Sequence, residues 1–170
     1  GDELPDSDVA AKVACIALEG GLGAGKTRLA RGLARGLGLD PEIISSPTFV
    51  IHIEHLGRHD DSACLSHLDA YRMRGTDELE AIGFDELLED DRRLVAIEWS
   101  SRIEEALPES RIEIRLDHRD PQTRGLTLLD LRDDPKSRRR LREALERQHH
   151  VVLVAQPRQQ RVAVVIRNIS

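Results

Sequence analysis

The run Gly20-Gly21-Leu22-Gly23-Ala24-Gly25-Lys26-Thr27 constrains this chain more than any other feature. It fits G-x-x-x-x-G-K-[ST], a loop whose glycines let the backbone curl and turn successive N–H groups onto phosphate oxygens. In such a loop Lys26 reaches the β- and γ-phosphates and the Thr27 hydroxyl binds Mg²⁺. The helix that follows adds its positive N-terminal end. Four matched positions recur by accident in roughly one chain of this length in a few hundred, so the context has to decide. Val13-Ala14-Cys15-Ile16-Ala17-Leu18 precedes the loop and has the apolar, β-branched character of a buried parallel strand. Leu29, Leu33 and Leu37 follow at i, i+4 and i+8, and Gly36 and Gly38 stand where that helix should stop. The alternative is a glycine-rich turn before an ordinary helix. Against it stands the context, in which strand, loop and helix are all present in order.

The remaining elements can be read in order. The strand spans about 12–18 and the helix about 26–37, and Asp40-Pro41 breaks the chain. Thr48 to Leu56 is rich in β-branched residues. It predicts a strand that pairs as a hairpin with Cys64 to Tyr71 across the polar turn 57–62. Thr76 is placed to cap a helix whose first turn is acidic, and Gly83 to break it. Arg93 to Trp99 reads as a strong strand, followed by a short helix that ends before Pro108. Arg111 to Leu116 alternates apolar and charged residues, as an edge or half-exposed strand would. Beyond it come a short strand over Leu126 to Leu131, a basic helix over about 135–148, and a hairpin from 151–154 and 162–166. These elements predict an α/β fold like that of P-loop NTPases, with a mostly parallel central sheet flanked by helices and an antiparallel hairpin. The expected organisation is a nucleotide-binding core over 1–120 and a C-terminal extension over 121–170 packed on the same domain.

Composition adds limits. The 170 residues are 39% hydrophobic and 33% charged, enough for one domain with a real core. No apolar run is long enough to span a membrane and no signal-peptide pattern is visible, so no membrane partner is expected. Cys15 and Cys64 lie in apparent strands, as buried reduced thiols of a cytoplasmic protein would. The net charge of −6 is unevenly spread: residues 136 to 170 carry nine Lys or Arg and two Glu, a balance of +7, which leaves −13 for the rest. Such a tail is either a solvated surface or a contact for an acidic protein or nucleic acid.

A phosphate loop needs an acid at a neighbouring strand end to hold Mg²⁺. Glu98 ends the apolar strand Leu94-Val95-Ala96-Ile97, and Asp69 lies at the end of another. Both would sit where α/β sheets collect their ligands, outside the carboxyl ends of the strands. Ser45-Ser46-Pro47-Thr48 joins the first helix to the second strand, where it can face the γ-phosphate as a switch or be a turn set by Pro47. His52, His55 and His59 with Asp60 and Asp61 do not make H-E-x-x-H, and His52 and His55 fall on opposite strand faces.

Several stretches together resemble the TsaE (YjeE) family of bacterial ATPases. They are Leu18 to Thr27, Ser46-Pro47-Thr48-Phe49, His67-Leu68-Asp69-Ala70-Tyr71-Arg72, Ile97-Glu98-Trp99, and Glu78-Leu79-Glu80 with Ile82-Gly83. The resemblance runs over about 13 to 116. It implies ATP and Mg²⁺ as ligands, a cytoplasmic setting, TsaB and TsaD homologues as partners, and a supporting role in forming threonylcarbamoyladenosine in tRNA, which is touched indirectly if at all. It also implies roles. Gly21, Leu22, Gly23, Ala24, Gly25, Lys26, Thr27 and Arg28 would bind phosphates, with Ser46, Pro47 and Thr48 as the switch. Thr27, Glu98 and Asp69 would hold the metal, and Lys26, Asp69 and Glu98 would carry catalysis. The chain departs from the family where Gly21 replaces a usual Asp and Arg28 a frequent Thr. Its lead-in is short and acidic where a helix is usual, and the stretch after about 120 is longer. The loop alone also fits a small-molecule kinase, with Arg72 and Arg74 over the phosphates, or a nucleotide-dependent module that binds a partner or tRNA.

Overall fold

The alternation of strands and helices along the chain builds a single mixed sheet. The computed structural model describes residues 14–47, 50–58 and 63–148, and the strand backbones at 154–156 and 161–167. Its strands are β1 (Cys15–Gly20), β2 (His52–Leu56), β3 (Cys64–Asp69), β4 (Arg93–Glu98), β5 (Ile112–Asp120), β6 (Thr123–Asp130), β7 (Val154–Gln156) and β8 (Arg161–Arg167). They lie in the order β2-β3-β4-β1-β5-β6-β8-β7. The four central strands β3, β4, β1 and β5 run parallel. The flanks are antiparallel: β2 on β3 at one side, and β6, β8 and β7 beyond β5 at the other. The expected parallel centre, flanking helices and antiparallel hairpin are all present.

The central strands are apolar on both faces because helices cover both. Ile16 and Leu18 of β1 and Leu94 and Ala96 of β4 face one layer, and Cys15, Val95 and Ile97 face the other. The first layer holds α1 (Lys26–Gly36) and α4 (Pro135–Glu146), which press Leu29, Leu33, Leu37, Leu141 and Leu145 onto the sheet. The second holds α2 (Asp77–Ala81) and α3 (Phe84–Glu89), whose Leu79, Phe84 and Leu87 pack on Val95 and Ile97. A 3-10 segment over Ser100–Ala106 buries Ile103 in the same cluster.

Two local expectations change. Arg111 to Leu116 is half-exposed but is no edge: β5 lies between β1 and β6, and Ile112, Ile114 and Leu116 are buried on one face. An alternating strand is equally at home inside a sheet when one of its faces is left uncovered. Thr76 lies in helical geometry and its side chain caps nothing. Glu78 instead accepts from the Arg74 N–H, tying the turn before α2. Gly83 does break the helix, with φ +68° between α2 and α3. Both cysteines are free and buried, and burial pushes the Cys15 thiol up to about 12.

Segment 123–148 is tied to the sheet by more than apolar contact. The buried Asp130 carboxylate accepts from Arg132 Nε at 2.8 Å and Nη2 at 2.5 Å, and Nη2 also donates to the Ser137 carbonyl. Asp134 caps α4 by accepting from the N–H groups of Lys136 and Ser137.

Candidate active site

β1 delivers its chain into the glycine loop at Gly20, where a side chain has no room. A Cβ there would lie 2.8 Å from the Leu116 carbonyl of β5 and 3.0 Å from Ala24 Cβ. The loop then turns directly into α1, with Gly25 at φ +109° as the residue before the helix. That places the start of α1 over the carboxyl ends of β1, β3 and β4, the position at which parallel sheets bind ligands.

Parallel pairing brings the two acids together. Asp69 and Glu98 are direct register partners on β3 and β4, and both are almost fully buried. Thr27 Oγ1 donates to Glu98 Oε1 at 3.0 Å. His67 Nε2 meets the same oxygen at 2.8 Å. A carboxylate only accepts, so Nε2 carries the hydrogen, and the buried Nδ1 has no partner among the described residues. Asp69 Oδ1 accepts from the Tyr71 N–H at 2.9 Å. These bonds engage Oε1 of Glu98 and Oδ1 of Asp69, leaving the second oxygen of each carboxylate for another ligand.

Lys26 lies across this group. Its Nζ donates to the carbonyls of Gly20 at 2.5 Å and Gly21 at 3.0 Å, and sits 4.0 Å from the centroid of the Trp99 ring. Burial pushes its pKa down, and Glu98, Glu19 and Asp69 push it back up. Trp99 follows β4 in the left-handed conformation at φ 57° and stacks against Tyr71 with ring centroids 4.9 Å apart.

These groups line a cavity of about 250 Å³ formed by Leu22 to Arg28 of the loop and helix, Ser46, Asp69, Tyr71, Glu98 and Trp99. Gly21 contributes its carbonyl to Lys26 rather than a cavity wall. Pro47 is fully buried and does not line the cavity, and Thr48 lies outside the described residues. Arg72 and Arg74, the arginines a kinase lid would need, do not line the cavity. Roomier hollows lie elsewhere, one of about 430 Å³ beside Glu19 and Ser101, one of about 530 Å³ beside Gly36 and Leu94 and one of about 300 Å³ beside Leu79 and Phe84. None of these touches the loop, Lys26 or the paired acids, so chemistry rather than size selects the site.

Sequence reasoning did not single out His67 for a role. Its signal was position: two residues before Asp69, it faces the same side of β3. His52 and His55 stand apart from the cavity. Burial lowers the pKa of both, helped at His55 by His67 and His52. His59 lies outside the described residues, and among those described no three such side chains cluster to hold a metal. A neutral buried histidine takes up its proton on unfolding, so the unfolded chain binds more protons below about pH 6.5 and stability falls with pH there. Thermal melts should therefore show a lower midpoint at pH 5.5 than at pH 7.5, by at most about 1.4 kcal/mol per pH unit for each histidine. His55→Gln should flatten that dependence, and an unchanged profile would contradict the assignment.

A strand, a glycine loop and a helix over paired strand-end acids define the class of α/β proteins built on a phosphate-binding loop. The family model described as "Threonylcarbamoyl adenosine biosynthesis protein TsaE" matches residues 3–126, and the chain belongs to this family. It is 40% identical over 112 residues to the tRNA threonylcarbamoyladenosine biosynthesis protein TsaE of Bacillus subtilis, covering 66% of each chain. It is 44% identical over 105 residues to that of Streptomyces coelicolor, covering 60% of this chain and 67% of that one. The crystal structure of Bacillus subtilis YdiB superposes with a TM-score of 0.55 at 31% identity, covering 78% of this chain and 76% of that one. The matched segment thus spans about two thirds of its curated relatives.

Proposed function

We propose that this protein binds and hydrolyses ATP in the cytoplasm and, with TsaB and TsaD homologues, supports the formation of threonylcarbamoyladenosine in tRNA. The observation that carries the reading is the Thr27–Glu98 hydrogen bond at 3.0 Å, beside Asp69 in register on the next strand and in one cavity with Lys26. The names of the relatives supply the pathway, and the site supplies the chemistry.

The loop N–H groups and Lys26 bind the phosphates. Mg²⁺ suits the donor set, because a threonine hydroxyl and two carboxylates, each with one oxygen left over, are hard oxygen ligands. Thr27, Glu98 and Asp69 would hold it, and it would neutralise charge on the transferred phosphoryl group. Asp69 would accept a hydrogen bond from the attacking water through its second oxygen, its first being engaged by the Tyr71 N–H. His67 fixes the Glu98 carboxylate through Oε1. Trp99 and Tyr71 form an aromatic wall of the cavity.

Glu98→Gln tests this reading because glutamine keeps an oxygen to accept from Thr27 and His67 but loses the charge and puts an amide NH2 in place of the second oxygen, which would ligate the metal. Turnover should fall at least ~100-fold, about 3 kcal/mol of barrier, and the Mg²⁺ concentration needed for half-maximal nucleotide binding should rise. Hydrolysis would be followed alone and with a bacterial TsaB–TsaD pair. Unaltered turnover by a folded Glu98→Gln variant would sink the proposal. Turnover indifferent to the pair would remove the pathway and leave the ATPase.

A further inference from the structure

The two helices on one face of the sheet carry an unusual share of this acidic protein's positive charge. Helix α1 exposes Arg28, Arg31 and Arg35 and contains no acidic residue. Their i, i+3, i+7 spacing puts all three on one face of the helix, with Arg28 at its cavity end and Arg31 donating through Nε to the Ile44 carbonyl. Helix α4 and its C-cap add Lys136, Arg138, Arg139, Arg140, Arg142 and Arg147 against Glu143 and Glu146. Both helices pack on the same core cluster, so these nine cations share one layer. The opposite layer is the reverse: α2 and α3 carry Asp77, Glu78, Glu80, Asp85, Glu86 and Glu89 and no base. The two layers are separated by two packing distances of roughly 10 Å each, more than two Debye lengths at physiological salt. The acidic face therefore does little to cancel the field of the basic one.

We propose that the α1/α4 layer docks the phosphate backbone of a structured RNA. Eight of the nine cations are arginine, whose planar fork pairs with phosphate oxygens in two places at once. The described residues argue against an acidic protein. Interfaces between proteins centre on apolar or aromatic anchors, and the exposed large hydrophobics Leu22, Ile43, Val50, Leu56 and Tyr71 all lie off these two helices. Arg139 and Arg142 form exposed i,i+4 pairs with Glu143 and Glu146, which are weak enough to give way to phosphate. The choice of RNA over duplex DNA rests on the function proposed above. The charge layer itself does not.

The test is fluorescence anisotropy of a labelled, unmodified tRNA transcript titrated with the full chain across a salt series. The variant combines Arg35→Ala, Arg140→Ala and Arg147→Ala, three exposed positions outside the nucleotide cavity. Binding should weaken steeply with salt. The triple variant should lose at least tenfold in affinity at about 50 mM salt and flatten the log–log salt slope by about 2 to 3, with ATP turnover and melting unchanged. No tRNA binding at that salt, or equal affinity and slope for the variant, overturns the proposal. A duplex DNA of equal length that competes as well as tRNA overturns the choice of RNA, and an acidic protein that binds through these arginines while tRNA does not overturns it entirely. tRNA binding without ATP turnover would strike the function proposed above and leave the RNA surface standing. Turnover without tRNA binding would do the opposite.

Discussion

Lys26→Ala should abolish productive ATP binding, lowering turnover by about a thousandfold or more. The ammonium is held by the Gly20 and Gly21 carbonyls and the Trp99 face, within a cavity shared with two buried acids. A cation aimed at transferring phosphates in a site of low dielectric stabilises the transition state by several kcal/mol, and each 1.36 kcal/mol is tenfold in rate. The fold should survive, because removing Lys26 also removes the cost of burying its charge, which is what lowers its pKa. The measurement has a built-in probe. Trp99 is the sole tryptophan and lies 4.0 Å from Nζ, so nucleotide binding should change its emission in the unaltered chain and leave it unchanged in Lys26→Ala. Hydrolysis by Lys26→Ala within a few-fold of the unaltered protein would remove the loop from the mechanism.

The largest effect on stability should come from Arg132→Ala. Arg132 and Asp130 side chains are 7% and 8% exposed, and alanine would leave the Asp130 carboxylate buried without its counter-charge. Breaking such a pair from one side costs about 3–5 kcal/mol, a large part of the 5–15 kcal/mol that a domain has. The melting midpoint should drop by roughly 10 °C. Replacing both partners, Asp130→Leu with Arg132→Met, should recover most of the loss, since two apolar side chains leave no unpaired charge. The same melt addresses whether the segment after residue 120 belongs to the domain that carries the loop. We propose that it does, because β6 pairs along β5 and Leu126 and Leu128 enter the core shared with α1. One cooperative transition, shifted as a whole, is the expected result. A separate early transition would make the extension an independent unit.

Local pattern was enough for most elements. A strand buried on both faces is a continuous apolar run, and β1 and β4 read as such. The hairpin of β2 and β3 and the break at Gly83 were equally legible, because turn chemistry and positive φ are short-range demands. Two readings failed for opposite reasons. Thr76 is a good capping residue by type, but the turn before α2 is tied by Glu78. The alternation in β5 reported one uncovered face and was silent on how many neighbours the strand has in the sheet.

In the candidate site, sequence picked out the loop, Asp69 and Glu98 because each residue type has few other uses at the end of an apolar strand. It could not say that the two acids are register partners. Nor could it say that Thr27 and His67 converge on one oxygen of Glu98, or that Lys26 rests on carbonyls of its own loop. Register and convergence are long-range quantities, set by how parallel strands stack and by which helix returns to which face. The charge shows the same division. The basic run after residue 135 is plain in the chain. Only packing α4 and α1 on one face of the sheet, with α2 and α3 on the other, brings two separate stretches of arginine into the same layer. What sequence determined by itself was the local chemistry of each segment. Tertiary structure decided which segments share that chemistry, because proximity across a sheet depends on strand order and face, and neither is written in any one stretch of residues.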